Sequence, residues 1–258
     1  MNPSVPILIF SQQTADKNIR VWQQDERRWL DFADGLIQSE ITLGKPDILP
    51  LVLNRAMLAG MLFVGPPKRI LLAGTGGGAM ARYVADRFPD VIGDAVEISE
   101  TIVELAKDYF EFPFNNWQLI TTDNVDYVQD CQQKYDLIVI DIAVDQKTPT
   151  WLIKQSFLQH CRSLLTTRGH IAFNLLVDNA DSFMHSLAVL RKVFERRTLC
   201  LSLPNYRNIV VMGFKNKPSF LDDDIGSKLA ELEMAWGIEF TQFYQQMLKD
   251  NPKNSGVF

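Results

Sequence analysis

Residues Lys68–Glu97 read KRILLAGTGGGAMARYVADRFPDVIGDAVE. An apolar run, Ile70–Ala73, is followed at once by Gly74, Gly76, Gly77 and Gly78. Ala79–Phe88 has helical character, and a second apolar run ends on an acid, Glu97. The pattern is a strand, a glycine turn, a helix and a second, parallel strand. Glycine admits positive φ and lets the backbone meet a ligand with no Cβ in between. A plain tight turn needs one glycine. Four at the end of a strand suit the polar end of a nucleotide-like ligand, and an acid about twenty residues on suits a ribose diol.

The flanking sequence continues the alternation. On the N-terminal side, Val5–Phe10, Ile19–Gln24, Arg28–Ala33 and Leu36–Thr42 read as strands, with Asp34-Gly35 as a hairpin turn. Asp47 is placed to cap a helix running to about Phe63, which Gly65-Pro66-Pro67 ends. On the C-terminal side, a helix from Ser99-Glu100 precedes a strand at Trp117–Thr121. A helix carrying Val125 and Val128 then leads to Tyr135–Ile140, apolar in the manner of a strand buried on both faces. After it come a helix at Gln155–Leu165, a strand at Gly169–Asn174 and a helix at Ser182–Phe194. Thr198–Leu203 and Asn208–Phe214 are joined by too short a link to cross over, so they pair antiparallel. The tail reads as helix over Asp222–Leu248, with Asn251–Phe258 loose. The expected fold is α/β: a Rossmann-like, doubly wound, mostly parallel seven-stranded sheet. A small antiparallel β unit over residues 1–46 precedes this domain, which spans 47–258.

Composition narrows the function classes. The chain has 258 residues, 47% hydrophobic and 22% charged, with a net charge of −5. No basic patch stands out for nucleic acid. Three scattered cysteines suit a reducing cytoplasm, and His160, His170 and His185 form no ligand set, so no metal site is expected. Val5–Phe10 lacks the basic flank and cleavage site of a leader, and no apolar run is long enough to cross a bilayer.

In a doubly wound sheet the ligand lies at the C-terminal ends of the strands. The residues there are Gly74–Gly78, Glu97, Asp123, Asp141 and Asn174. Each acid alone reads as a helix cap or a turn residue. Three at successive strand ends suit an adenosine: Glu97 for the ribose, Asp123 for the adenine amino group, and Asp141 facing the space beyond the turn. Gly74-x-Gly76-x-x-Ala79 also satisfies the relaxed dinucleotide fingerprint, so that reading stays open, although the closing hairpin and the third-strand acid suit an S-adenosyl ligand better.

From about Trp22 to Lys215 the chain resembles the spermidine synthase family of aminopropyltransferases, which use decarboxylated S-adenosylmethionine. The resemblance is carried by Asp34-Gly35-Leu36-Ile37-Gln38, by the glycine turn GTGGGAMAR and by Val96-Glu97-Ile98. It continues through Thr122-Asp123-Asn124, Tyr135-Asp136 with Ile138 and Asp141, and Pro204-Asn205-Tyr206. It implies that Gln38 and Glu97 hold the ribose and sulfonium end, with the glycines, Ile98 and Asn124 completing the donor site. It also implies that Asp123 takes the adenine amino group, that Asp141 is the catalytic carboxylate, and that Asp145, Asn174 and Tyr206 meet a diamine or polyamine. The cosubstrate would be decarboxylated S-adenosylmethionine, or the intact form, and the assembly a homodimer. Several positions depart from the family's pattern. Its donor-binding Asp falls on Gly77, its Tyr-His/Gln-Glu on Val52-Leu53-Asn54, and its glutamine after the fifth strand on Asn174. The loop after Asp141 lacks the usual proline. These departures leave two other readings open: a methyltransferase using intact S-adenosylmethionine, and a catalytically degenerate ligand-binding protein.

Overall fold

The computed structural model describes residues 4–15, 17–218 and 225–257. Four N-terminal strands, β1 (Ile7–Gln13), β2 (Asn18–Gln24), β3 (Arg27–Asp31) and β4 (Ile37–Thr42), form an antiparallel sheet in sequence order. Alternation sets its faces: on β4, Ser39 and Ile41 are buried while Gln38 is exposed. Two short helices follow, α1 (Val52–Leu58) and α2 (Met61–Val64).

The main sheet has seven strands: β5 (Arg69–Ala73), β6 (Ile92–Glu97), β7 (Trp117–Thr121), β8 (Tyr135–Ile140), β9 (Leu165–Leu176), β10 (Thr198–Ser202) and β11 (Asn208–Phe214). Their order is β10-β11-β9-β8-β5-β6-β7. All pairings are parallel except those of β11 with β9 and β10. The order reverses at β5, whose two parallel neighbours are β6 and β8, and a crevice opens at their C-terminal ends. Along β5, Ile70 and Leu72 face one buried cluster while Leu71 and Ala73 face the other, as a strand covered on both sides requires. The covering helices are α3 (Ala79–Arg87), α4 (Glu100–Tyr109), α5 (Asn124–Asp130), α6 (Gln155–Leu164), α7 (Ala180–Val193), α8 (Ile225–Trp236) and α9 (Phe240–Asp250).

Three sequence expectations change. The helix expected from Asp47 begins at Val52, with Leu51 rather than Asp47 at its extended N-cap. Pro50 holds the residue before it extended and delays the helix. The same segment breaks at Gly60, where an added Cβ would lie 2.5 Å from His170 Nε2. The tail is two helices separated at Gly237, φ 63°, and residues 222–224 lie outside the described residues. The segment after α9 is tied down over residues 251–257. Buried Asn251 donates to Cys200 O at 2.7 Å and accepts from Cys200 N at 2.9 Å, and Val257 N donates to Thr198 O. Phe258 lies outside the described residues.

Two arginines fasten the N-terminal sheet over the main one. Arg82 on α3, 3% exposed, donates to Thr42 O and Lys45 O and pairs with Glu111 at 2.7 Å. Arg28 on β3 donates to Tyr109 O at 2.6 Å. Arg82 adds to carbonyls that also accept from the Lys45 and Ile48 N–H groups, and Arg28 caps the carbonyl of the last residue of α4.

His170 is fully buried on β9 and stacks on Phe214 at 5.6 Å. Neither ring nitrogen makes a hydrogen bond of normal geometry among the described residues. Burial pushes the imidazole down from 6.5 to about 4, against the opposing pull of Asp136's charge and backbone. Between those two pH values the unfolded chain binds a proton that the folded chain refuses, so stability falls as pH drops from 6.5 to 4. The full effect is roughly 3 kcal/mol. Denaturant melts of His170→Leu across this window are therefore expected to show a markedly shallower acid loss than the wild type. Parallel losses in the two proteins would contradict the assignment.

Candidate active site

The turn after β5 is built on close approach. Gly74, Gly76 and Gly78 have φ of 83°, 55° and 81°, which glycine adopts at no steric cost. A Cβ at Gly74 would lie 2.2 Å from Asp141 O, and one at Gly78 would lie 2.6 Å from the Phe112 ring. Gly77 has no positive φ, so its reason is space alone. A Cβ there would stand 2.7 Å from Ser39 Oγ and 2.9 Å from the Phe110 ring. The turn is thus packed between β4 and the aromatics that follow α4. At Gly76 a Cβ would make only ordinary contacts, 3.8 Å from Gln38 O and from Ser39 Cβ.

Glu97 closes the turn from below. Its Oε2 accepts from Gly76 N at 3.2 Å and its Oε1 from Ser99 N at 3.1 Å. Each oxygen keeps a lone pair for a further donor. Burial is the largest influence and raises its carboxyl above the usual range; the backbone donors and the charge of Lys17 pull it back. Ile98, beside it, is 62% exposed, an apolar side chain left bare at the groove.

At the end of β7, Asp123 caps α5, its Oδ1 accepting from Val125 N at 2.6 Å. One carboxylate oxygen therefore has the structural task considered for it from sequence, and Oδ2 remains. Asn124 is 7% exposed, and its Oδ1 is buried without a partner among the described residues. An orphaned acceptor is costly and suits a ligand donor such as an exocyclic amine.

Asp141 follows β8 across the crevice, with its backbone N–H on Ala73 O. It is partly open to the groove, yet burial is the largest influence on its carboxyl and raises it. Asn174 opposes that shift, donating Nδ2–H to Asp141 Oδ1 at 2.8 Å. Asn208 in turn donates to Asn174 Oδ1 at 2.8 Å.

The remaining expected residues lie apart. Asp145 is exposed at φ 50° in a tight turn closed by reciprocal Val144–Lys147 hydrogen bonds. Tyr206, 56% exposed, borders a cavity of about 190 Å³ at the end of β10, shared with Val52, Asn205, Gln242, Phe243 and Gln246. The turn and Glu97 form one cluster, which Gln38 approaches with its backbone carbonyl, and Asp141 and Asn174 form another against Gly74; Tyr206 belongs to a third surface at the same sheet end. Sequence reasoning passed over Ser39, Phe110, Arg82 and Asn208. Only Arg82 left a signal, as a cation on the apolar face of its helix.

Residues 54–220 match the family model described as the spermine/spermidine synthase domain. The polyamine aminopropyltransferase of Chromobacterium violaceum is 28% identical over 241 residues, 92% of both chains. The human eEF1A lysine and N-terminal methyltransferase is 32% identical over 163 residues, 55% of this chain and 23% of that protein. Among solved structures, a probable spermidine synthase from Corynebacterium glutamicum superposes with a TM-score of 0.74 at 21% identity, covering 87% of this chain and 86% of its own.

If Ser39 and Phe110 hold the turn, Gly77→Ala should lower stability by about 1–3 kcal/mol in denaturant melts, the cost of overpacking. Gly77→Asp should cost more, since the carboxyl also meets the ring. Unchanged stability in both would mean that the contacts yield freely.

Proposed function

The chain belongs to the spermine/spermidine synthase domain family, and on that premise we propose that it is a polyamine aminopropyltransferase. The donor is decarboxylated S-adenosylmethionine and the acceptor a diamine or polyamine. The observation that carries this reading is an acid at the end of each strand beside the glycine turn: Glu97 after β6, whose carboxyl accepts from Gly76 N, and Asp141 after β8, whose main chain packs on Gly74.

The adenosine end is expected along β6 and β7. Glu97 takes the ribose hydroxyls, Ile98 packs on the base, and Asp123 and Asn124 take the adenine amino group. Gln38 covers the sulfonium side from β4. The acceptor amine attacks the methylene beside the sulfonium. A C–N bond forms, the C–S bond breaks, and its electron pair stays on sulfur to give methylthioadenosine. The attacking nitrogen must first lose a proton. An ordinary carboxylate and an alkylammonium differ by about six pKa units, or roughly 8 kcal/mol, too far for efficient transfer. The raised carboxyl of Asp141 narrows that gap from one side, and desolvation of the ammonium narrows it from the other. Tyr206 and the adjoining cavity would receive the far end of the acceptor. Asp145, on its exposed turn, would gather the cation from solvent.

A second reading, a methyltransferase using intact S-adenosylmethionine, is favoured by Gly77. With glycine there the turn carries no anion to pair with a donor ammonium or repel a donor carboxylate.

One incubation separates the two. With each donor and a panel of amines, the proposal predicts methylthioadenosine from the decarboxylated donor. S-adenosylhomocysteine from the intact donor would favour the methyltransferase instead. Asp141→Asn should reduce turnover at least about 100-fold while donor affinity stays within a few-fold. Turnover undiminished in that variant would remove Asp141 from the chemistry.

A further inference from the structure

Among the described residues, no charged group pairs with Asp141. From β5 it meets the backbone of Ala73 and Gly74, and from β9 the amide of Asn174. None of these groups titrates, and the shift of its carboxyl has two causes only, burial and the Asn174 donor. The protonation state of Asp141 therefore depends on which end of the Asn174 amide it faces. An NH₂ toward Asp141 favours the carboxylate. A carbonyl toward it would require a proton on Asp141 to make the contact.

Asn174 is 4% exposed, so its amide cannot turn to water for an alternative partner. Its orientation is set from the other side. Asn208 is the first residue of β11, two positions from the Val210–Asn174 pair in the antiparallel register. Its Nδ2–H points at Asn174 Oδ1, at 2.8 Å. With that oxygen occupied, only Nδ2 is left for Asp141, also at 2.8 Å.

We propose that Asn208 is a positioning residue for the transfer reaction: by donating to Asn174 it fixes that amide with its NH₂ on Asp141, and so keeps Asp141 an ionised acceptor with Oδ2 free for the incoming amine. The inference rests on the aminopropyltransferase reading of Asp141. The relay runs β11 to β9 to β8 across three adjacent strands, each of which fixes one side chain. It uses neutral amides, so it orients the carboxyl without adding a charge that would compete for the cationic substrate.

The test follows the Asp141 carboxyl by ¹³C NMR titration in substrate-free protein, assigned by its loss in Asp141→Asn, together with the pH–rate profile. Asn174→Leu removes the donor, so the Asp141 pKa and the acid limb should both rise, by about one pH unit. Asn208→Leu, and the smaller change Asn208→Ser, should give a rise in the same direction. In the Asn174→Leu background, Asn208→Leu should add nothing. Folded Asn208 variants with a wild-type Asp141 titration would overturn the proposal, as would a full Asn208 effect that persists without Asn174. A shifted titration with an unshifted acid limb would uphold the relay and remove Asp141 from the rate-limiting proton transfer.

Discussion

The backbone of the glycine turn has to be held open, and the rest of the site depends on how that is done. Positive φ at Gly74, Gly76 and Gly78 bends the chain so that Gly74 N–H still reaches Val96 O on β6 and Gly78 N–H turns back onto Thr75 O, while Gly76 N–H is left for a side chain. Glu97 takes the Gly76 N–H with one oxygen and the Ser99 N–H with the other, which ties the end of β5 to the start of α4. The acid proposed for the ribose is therefore also part of the turn. From above, Ser39, Phe110 and Phe112 leave no room for a side chain at Gly77 or Gly78. The N-terminal sheet can apply that pressure because Arg82 and Arg28 pin it to carbonyls and to Glu111.

This packing gives Gly77 a second meaning. As sequence, it marks where related enzymes carry an acid. As structure, it is a position filled from the far side by a serine and a phenylalanine ring. An acid there would have to displace both. A donor bound as proposed would therefore meet no charge at Gly77, and selection between donors would have to come from elsewhere in the groove. Asn54 shows a parallel change, standing where the family's pattern has a glutamate, and the cavity beside Tyr206 is lined by Gln242 and Gln246 rather than carboxylates.

Much of this was legible in the sequence. The parallel strands and the closing hairpin are local, strongly patterned segments, and β7 and β8 fall on Trp117–Thr121 and Tyr135–Ile140 as read. The glycine cluster and Glu97 lie in one continuous βαβ unit, so spacing alone relates them. What escaped depends on contacts distant in sequence. The glycine at the helix break, Gly60, is required by His170, 110 residues later, and the order of the tail comes from Asn251 reaching β10. Asn208 carries no motif; it matters only because the register of β11 brings it to Asn174. Asp123 was read as either a cap or a ligand acceptor, and its two oxygens allow it to be both.

The proposed function stands on Glu97, beneath the glycine turn, making this crevice an S-adenosyl site. Calorimetric titration with methylthioadenosine, which carries the adenosine and the sulfur but no tail, tests it apart from any question of acceptor or donor charge. Saturable one-to-one binding is expected of the wild type and at least about tenfold weaker binding of Glu97→Gln, since the amide can no longer accept on both oxygens. No binding by the wild type, or full affinity in Glu97→Gln, would contradict it.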